Sequence, residues 1–197
     1  MPFSILGTLT CYILVSSFTP GPGNILAMNT TSRFGWNRGK SLILGICCGY
    51  FCVQILCTLA IYNLNMFFVA ELSVLKYIGG LYMIWLAAYI AISTPDKSNK
   101  NKIPTFRTGF ILQLVNVKIY FYISTLLSVY FIPYIEGLQG LLLAGVGVVA
   151  VGSFASLVWA FMGVQLQSIY EKYHRIINYI LAAFLLYCAW DIIREVI

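Results

Sequence analysis

Two stretches of this chain place chemically capable residues where an apolar segment leaves them no ordinary use. The first is Thr19-Pro20-Gly21-Pro22-Gly23-Asn24, inside an otherwise hydrophobic run. Each proline removes a backbone donor and clashes with the preceding turn, at about 3 kcal/mol or more in a regular helix. The expectation is a helix broken at this stretch, with free carbonyls before the break. A half-helix from Asn24 to about Ser32 follows it. The N-terminus of such a half-helix carries about +0.5 elementary charge and exposed N–H groups, which suits a carboxylate. A kink that only shapes packing is the plainer alternative.

The second stretch holds Gln113, Asn116, Lys118 and Tyr120. Lys118 lies eleven residues past Arg107, roughly 16 Å along a helix and so near the middle of a bilayer. A lysine there costs at least about 2.5–3.5 kcal/mol to insert, so it should face a cavity or a polar partner. Asn24 precedes Arg33 by nine residues and Asn116 follows Arg107 by nine. Both asparagines therefore sit at a similar depth on different helices. A polar layer at one level is what a binding site requires; hydrogen-bonded helix glue is the alternative. On an ideal helix Asn116 and Lys118 differ by about 200° in direction. Either the helix unwinds locally or Lys118 meets a second polar contact.

The carboxylates are elsewhere. Glu71, Asp96, Glu136 and Glu171 fall between the apolar segments, and Asp191 and Glu195 lie near the end of the last one. A doubly cationic substrate such as lysine would want a buried anion. A neutral zwitterion needs none: its carboxylate can use Lys118 or the half-helix N-terminus, and its ammonium can use carbonyls. A small neutral amino acid is favoured.

The elements that must position these residues follow from composition. Of 197 residues, 60% are hydrophobic and 9% charged, against about 25% charged in a soluble domain. Six apolar segments stand out, at 4–28, 42–62, 72–92, 108–132, 138–164 and 176–193. Each approaches the roughly 20 residues that cross a bilayer core. Strands are excluded, because an open sheet leaves backbone groups unpaired in lipid and the alternation of a barrel is absent. The reading is an all-α integral membrane protein, one transporter domain over 1–197. Halves of about 1–93 and 105–197 are joined by the polar loop 94–104. Three spans per half give inverted halves, an arrangement many transporters use.

Nine basic residues (Arg33, Arg38, Lys40, Lys97, Lys100, Lys102, Arg107, Lys172 and Arg175) fall in the odd-numbered loops, and two, Lys76 and Arg194, on the other side. The positive-inside rule makes the odd loops cytoplasmic and both termini periplasmic, in a bacterial inner membrane. The net charge of +6 is then a topology and lipid-headgroup signal, with no nucleic-acid partner. Gly45-x-x-x-Gly49 in the second segment is read as a helix-packing face, and Gly79-Gly80 likewise. Residues 3–18 read as a first helix rather than a cleaved signal. Trp36, Trp85, Trp159, Trp190 and most tyrosines read as belt or core residues. The six cysteines lie inside apolar runs without a CxxC pair and read as small buried hydrophobes. No metal site, cofactor or catalytic residue is expected, and self-association is left open.

TPGPGN, the turn Gly35-Trp36-Asn37-Arg38-Gly39 and the Gln113-x-x-Asn116-x-Lys118 segment resemble the LysE/RhtB amino-acid exporters over nearly the whole chain. The run Leu112–Ile119 and Tyr187-Cys188-Ala189 are similar to the cysteine/O-acetylserine branch. The resemblance implies export from cytoplasm to periplasm, driven by the proton gradient. Its substrate pathway would comprise Pro20, Gly21, Pro22, Gly23, Asn24, Gln113, Asn116 and Lys118. Val117 departs from the family's usual proline, which puts a proline-type break of the fourth segment in doubt. An acidic residue that some members carry in the early spans is missing, so the proton-coupling residue is unidentified. Export of homoserine, threonine or other neutral amino acids is the nearest alternative. A CcdA/DsbD-type electron carrier needs a cysteine in each half, and the fourth segment has none. A membrane enzyme lacks a catalytic set, with His174 alone in a loop, and a channel would show no saturable counterflow.

Overall fold

The computed structural model describes residues 3–64, 69–92 and 104–194. They form helices α1 (Phe3–Phe18), α2 (Pro22–Phe34), α3 (Trp36–Leu64), α4 (Val69–Ala91), α5 (Phe106–Leu114), α6 (Val117–Thr125), α7 (Gly137–Gln165) and α8 (Gln167–Arg194). A π-helical stretch, Leu126–Phe131, extends α6. No strand occurs among the described residues.

Exposure runs opposite to that of a soluble protein. Leu81, Leu143, Phe154, Phe161, Ile180 and Trp190 are exposed, while Asn29, Thr31, Arg33, Gln54, Gln113 and Asn178 are buried. An apolar exterior of this extent belongs in lipid. The chain is a multi-pass membrane protein. Helices α3 and α7 are each long and apolar enough to cross a membrane. The bent pair Phe106–Leu114 and Val117–Phe131 passes the same test as one span.

The interior helix is α2. Pro22 sits in its first turn, where a missing N–H costs nothing. It ends at Gly35, whose φ of 74° suits glycine. Twelve of its residues are buried, Arg33 among them. Its main neighbour is α7, where Thr31 donates to the Ala160 carbonyl at 2.7 Å. Asn29 reaches α8 by donating to Asn178 Oδ1 at 3.1 Å, and the Tyr170 hydroxyl donates to the same oxygen at 3.0 Å. Elsewhere α3 packs on α5 and α7, and α4 on α8. The α3–α5 contact is backbone-close. A Cβ on Gly45 would strike the Phe106 carbonyl oxygen, one on Gly109 the Leu42 carbonyl oxygen, and one on Gly49 would lie 2.9 Å from the Phe110 oxygen.

Several loop assignments are corrected. Arg33 is not in a loop but in the last turn of α2, buried, with its guanidinium 4.7 Å from the Phe34 ring centre and 5.9 Å from that of Tyr89. Arg38 and Lys40 begin α3, and Arg107 lies in α5. The connection between the last two segments is Leu166 alone. Glu171, Lys172, His174 and Arg175 belong to α8, which starts nine residues before the expected 176 and bends at Tyr173 (φ −120°, ψ 22°). Polar side chains at helix ends hid the helical continuation from hydropathy, because long basic residues can sit on a helix at the headgroup level. Except for Pro104, the polar loop 94–104, with Lys97, Lys100 and Lys102, lies outside the described residues. The side chains of Glu71, Lys76, Asp191 and Arg194 do too.

Gly45→Ala should therefore destabilise the protein by about 1–3 kcal/mol through overpacking, visible as a lower Tm in detergent. Gly147→Ala is the control, because nothing lies within 4 Å of a Cβ there. Its Tm should be unchanged or slightly raised. Equal Tm values for the two variants would contradict the close approach of α3 and α5.

Candidate functional site

The first segment breaks between Phe18 and Pro22. Two prolines deny donors to the turn before them, so its carbonyls need partners from elsewhere. Those partners are present. Trp159 donates its indole N–H to the Phe18 oxygen at 3.1 Å. Asn24 Nδ2 donates to the Ser17 and Thr19 oxygens at 3.0 and 3.3 Å. Lys118 Nζ donates to the Thr19 oxygen at 3.3 Å and, at the limit of hydrogen-bond reach, to the Pro20 oxygen at 3.5 Å. The Thr19 hydroxyl turns back onto the Val15 and Ser16 carbonyls. On the far side, Asn24 Oδ1 accepts from the Ser156 hydroxyl at 3.0 Å. No side chain caps the N-terminus of α2, where Gly21 is the capping residue.

The fourth segment also breaks, although position 117 holds a valine and not a proline. Helices α5 and α6 meet at a 56° bend, with Asn116 at φ −82°, ψ 89°. The local cause is an asparagine between two valines: asparagine competes for backbone partners and β-branched residues are poor helix formers. Side chains again replace lost backbone bonds. The Tyr120 hydroxyl donates to the Leu114 oxygen at 3.0 Å, and Asn116 Nδ2 donates to Gln113 Oε1 at 3.1 Å. Asn116 Oδ1 is buried without a partner.

The breaks face each other across glycines. A Cβ on Gly21 would lie 3.3 Å from Lys118 Nζ, and one on Gly23 would lie 3.1 Å from Gln113 Oε1. Between them is a cavity of about 50 Å³, lined by Gly21, Gly23 and Asn24 from one side and Gln113, Asn116 and Lys118 from the other. The local unwinding lets Asn116 and Lys118 line one space, which an ideal helix would forbid. Pro20 and Pro22 line a second, larger cavity of about 470 Å³. It shares Ser16, Lys118 and Tyr122 with the first, so Lys118 stands on the wall between them. Gly45 and Gly49 are not at the cavities; they seat α5, and Gly49 Cβ would lie 2.8 Å from Gln113 Cβ.

Sequence reading missed part of this wall. Ser16, Ser17, Tyr50, Tyr122 and Ser156 line the smaller cavity, and Trp159, read as belt or core, is a donor to the break. Ser16 and Ser17 stand one residue before TPGPG, separated from it by Phe18, a signal that was available. Tyr50 carried none: its ring fills the space left by the missing side chain of Gly152, a pairing visible only in three dimensions.

The model of the LysE type translocator family matches residues 14–196. The chain belongs to this family. It is 33% identical, over 187 residues, to cysteine/O-acetylserine efflux proteins of Escherichia coli O157:H7, of strain K12 and of the O1:K1 / APEC strain. The match covers 94% of this chain and 96% of each relative. No solved structure matches it. In this translocator Asn24 ties the break to α7, so Asn24→Ala should lower the translocation rate at least about tenfold, the effect of one well-placed polar contact. Its gel-filtration profile should stay that of the parent. A wild-type rate would make the asparagine layer helix glue.

Proposed function

We propose that this LysE-family translocator exports small neutral amino acids, of the cysteine/O-acetylserine kind, from the cytoplasm to the periplasm. The single observation that carries this is the ammonium of Lys118. It faces a cavity of about 470 Å³, within the roughly 300–1,000 Å³ range of ligand sites. Its hydrogen-bond partners among the described residues are two backbone carbonyls rather than a carboxylate. A cation so placed supplies the counter-charge for an amino-acid carboxylate. No described carboxylate lines either cavity, which suits a neutral side chain and disfavours lysine or arginine. The similarity to cysteine/O-acetylserine efflux proteins points the same way, with homoserine- or threonine-like substrates as the alternative. The substrate pathway comprises Pro20, Gly21, Pro22, Gly23, Asn24, Gln113, Asn116 and Lys118. The family resemblance supplies the proton gradient as the driving force.

The architecture we infer is six spans in two inverted halves, with α1/α2 and α5/α6 as the broken first span of each. Interrupted spans at corresponding places in two halves mark the binding site in many transporters. The packing supports this: α3 lies on α7 and α4 on α8, each against its counterpart, while α2 lies on α7 and α5 on α3. The basic residues put both termini in the periplasm of a bacterial inner membrane.

Two experiments test the proposal. Alkaline phosphatase fused at the C-terminus should be active, and a fusion after Lys102 should be silent; the reverse pattern contradicts the topology. Inside-out vesicles should accumulate labelled cysteine and O-acetylserine faster than lysine at equal concentration. Lysine uptake as fast as that of O-acetylserine contradicts the substrate class.

A further inference from the structure

We propose that the carbonyl oxygens of Thr19 and Pro20 form the ammonium subsite of this transporter, and that Lys118 occupies it until a substrate displaces it. This rests on the export reading above and adds what happens to Lys118 during binding. The chain leaves helical geometry at Gly21 (φ −157°, ψ 170°), so the Thr19 and Pro20 carbonyls fall outside the helical ladder and take side-chain donors instead. Lys118 Nζ supplies donors at 3.3 and 3.5 Å. A primary ammonium is thus already seen on these oxygens, held by a flexible stem. Both residues and Lys118 line the larger cavity together, so a molecule there reaches the lysine and the carbonyls at once.

An amino acid is the chemical complement of this pair. Its carboxylate draws Lys118 off the carbonyls into a charge-assisted hydrogen bond. Its own ammonium then takes the vacated oxygens. No proton moves, no bond to carbon changes, and the net charge of the site is the same before and after. A bare amine gains no such exchange: with Lys118 in place it would put two cations side by side. A bare carboxylate pairs with Lys118 but takes its donor from both carbonyls, leaving the Thr19 oxygen with Asn24 Nδ2 alone. Recognition of a zwitterion follows from one displaceable lysine, without any acidic residue at the subsite. The poor geometry of the Pro20 contact fits a placeholder, because a lysine held by strong bonds would resist displacement.

Lys118→Ala should therefore open the subsite to amines. The full-length protein, purified in detergent under reductant, is tested with cysteine and its two half-molecules, cysteamine and 3-mercaptopropionate. In the wild-type protein cysteamine should compete with labelled cysteine at least about tenfold more weakly than unlabelled cysteine does. Labelled cysteamine should bind Lys118→Ala at least about tenfold more tightly than it binds the wild type. A purely structural lysine would give no such gain. If wild-type protein binds cysteine but the variant gains no amine affinity, the exchange is overturned and the export reading stands. If wild-type protein binds none of the three compounds, both are overturned. Should Lys118→Ala not fold, Lys118→Met replaces it, and the wild type carries a second arm. The N-trimethyl analogue of cysteine cannot donate an N–H to a carbonyl and should compete at least about tenfold more weakly than cysteine; equal competition overturns the exchange.

Discussion

The structure depends on one constraint: backbone carbonyls exposed by a broken helix inside a membrane must find donors within the protein. Lipid offers none, and each unsatisfied group costs several kcal/mol. At Ser17–Pro20 the donors come from three places far apart in the chain: Asn24 just past the break, Lys118 on α6 and Trp159 on α7. The break is thus what draws α2, α6 and α7 together. The glycines follow from the same demand. Gly21 and Gly23 leave room for Lys118 and Gln113 to come within van der Waals reach of the α2 start. Gly45, Gly49 and Gly109 let α5 lie against α3 so that Gln113 arrives at that level.

From this constraint the chemistry follows. A conventional helix would bury its carbonyls in its own ladder and leave nothing to bind with. A broken one exposes acceptors that donors must cover, and here Lys118 supplies the cation among them. The second break supplies a mirror-image resource, an uncapped α6 start and the unpartnered Asn116 oxygen, on the opposite wall of the same small cavity. Placing both breaks at one level makes a polar site inside a molecule that exposes many large apolar side chains. The polar face of α2 turns inward below the site as well: Asn29 and Tyr170 both donate to Asn178 Oδ1, away from lipid.

Residue type pointed to the candidate site more clearly than to the ends of the helices. Prolines and glycines in an apolar run, and a lysine eleven residues past the last arginine, are costly enough to be read from the chain alone. All of the pathway residues named from sequence line one cavity or the other. The ends of helices were harder. Arg33 looked like a loop residue because its charge breaks the hydropathy run, yet aromatic rings of Phe34 and Tyr89 cover it in the interior. The start of α8 was hidden for the same reason, by Glu171, Lys172 and Arg175. The break at Asn116 had no proline to announce it; its cause is a side-chain competition that periodicity does not register. Tyr50, Tyr122 and Ser156 were illegible because a tyrosine or serine in an apolar helix is ordinary until a facing glycine or asparagine gives it a role.

The central claim is that a mobile cation at the paired breaks receives a neutral amino acid. Counterflow of labelled O-acetylserine in proteoliposomes tests it most directly, comparing wild-type protein with Lys118→Gln of matched incorporation and Tm. The account predicts saturable counterflow by the wild type, competed by unlabelled cysteine, and its loss by at least about tenfold in the variant, the effect of one charge-assisted contact. Wild-type counterflow by Lys118→Gln would contradict it.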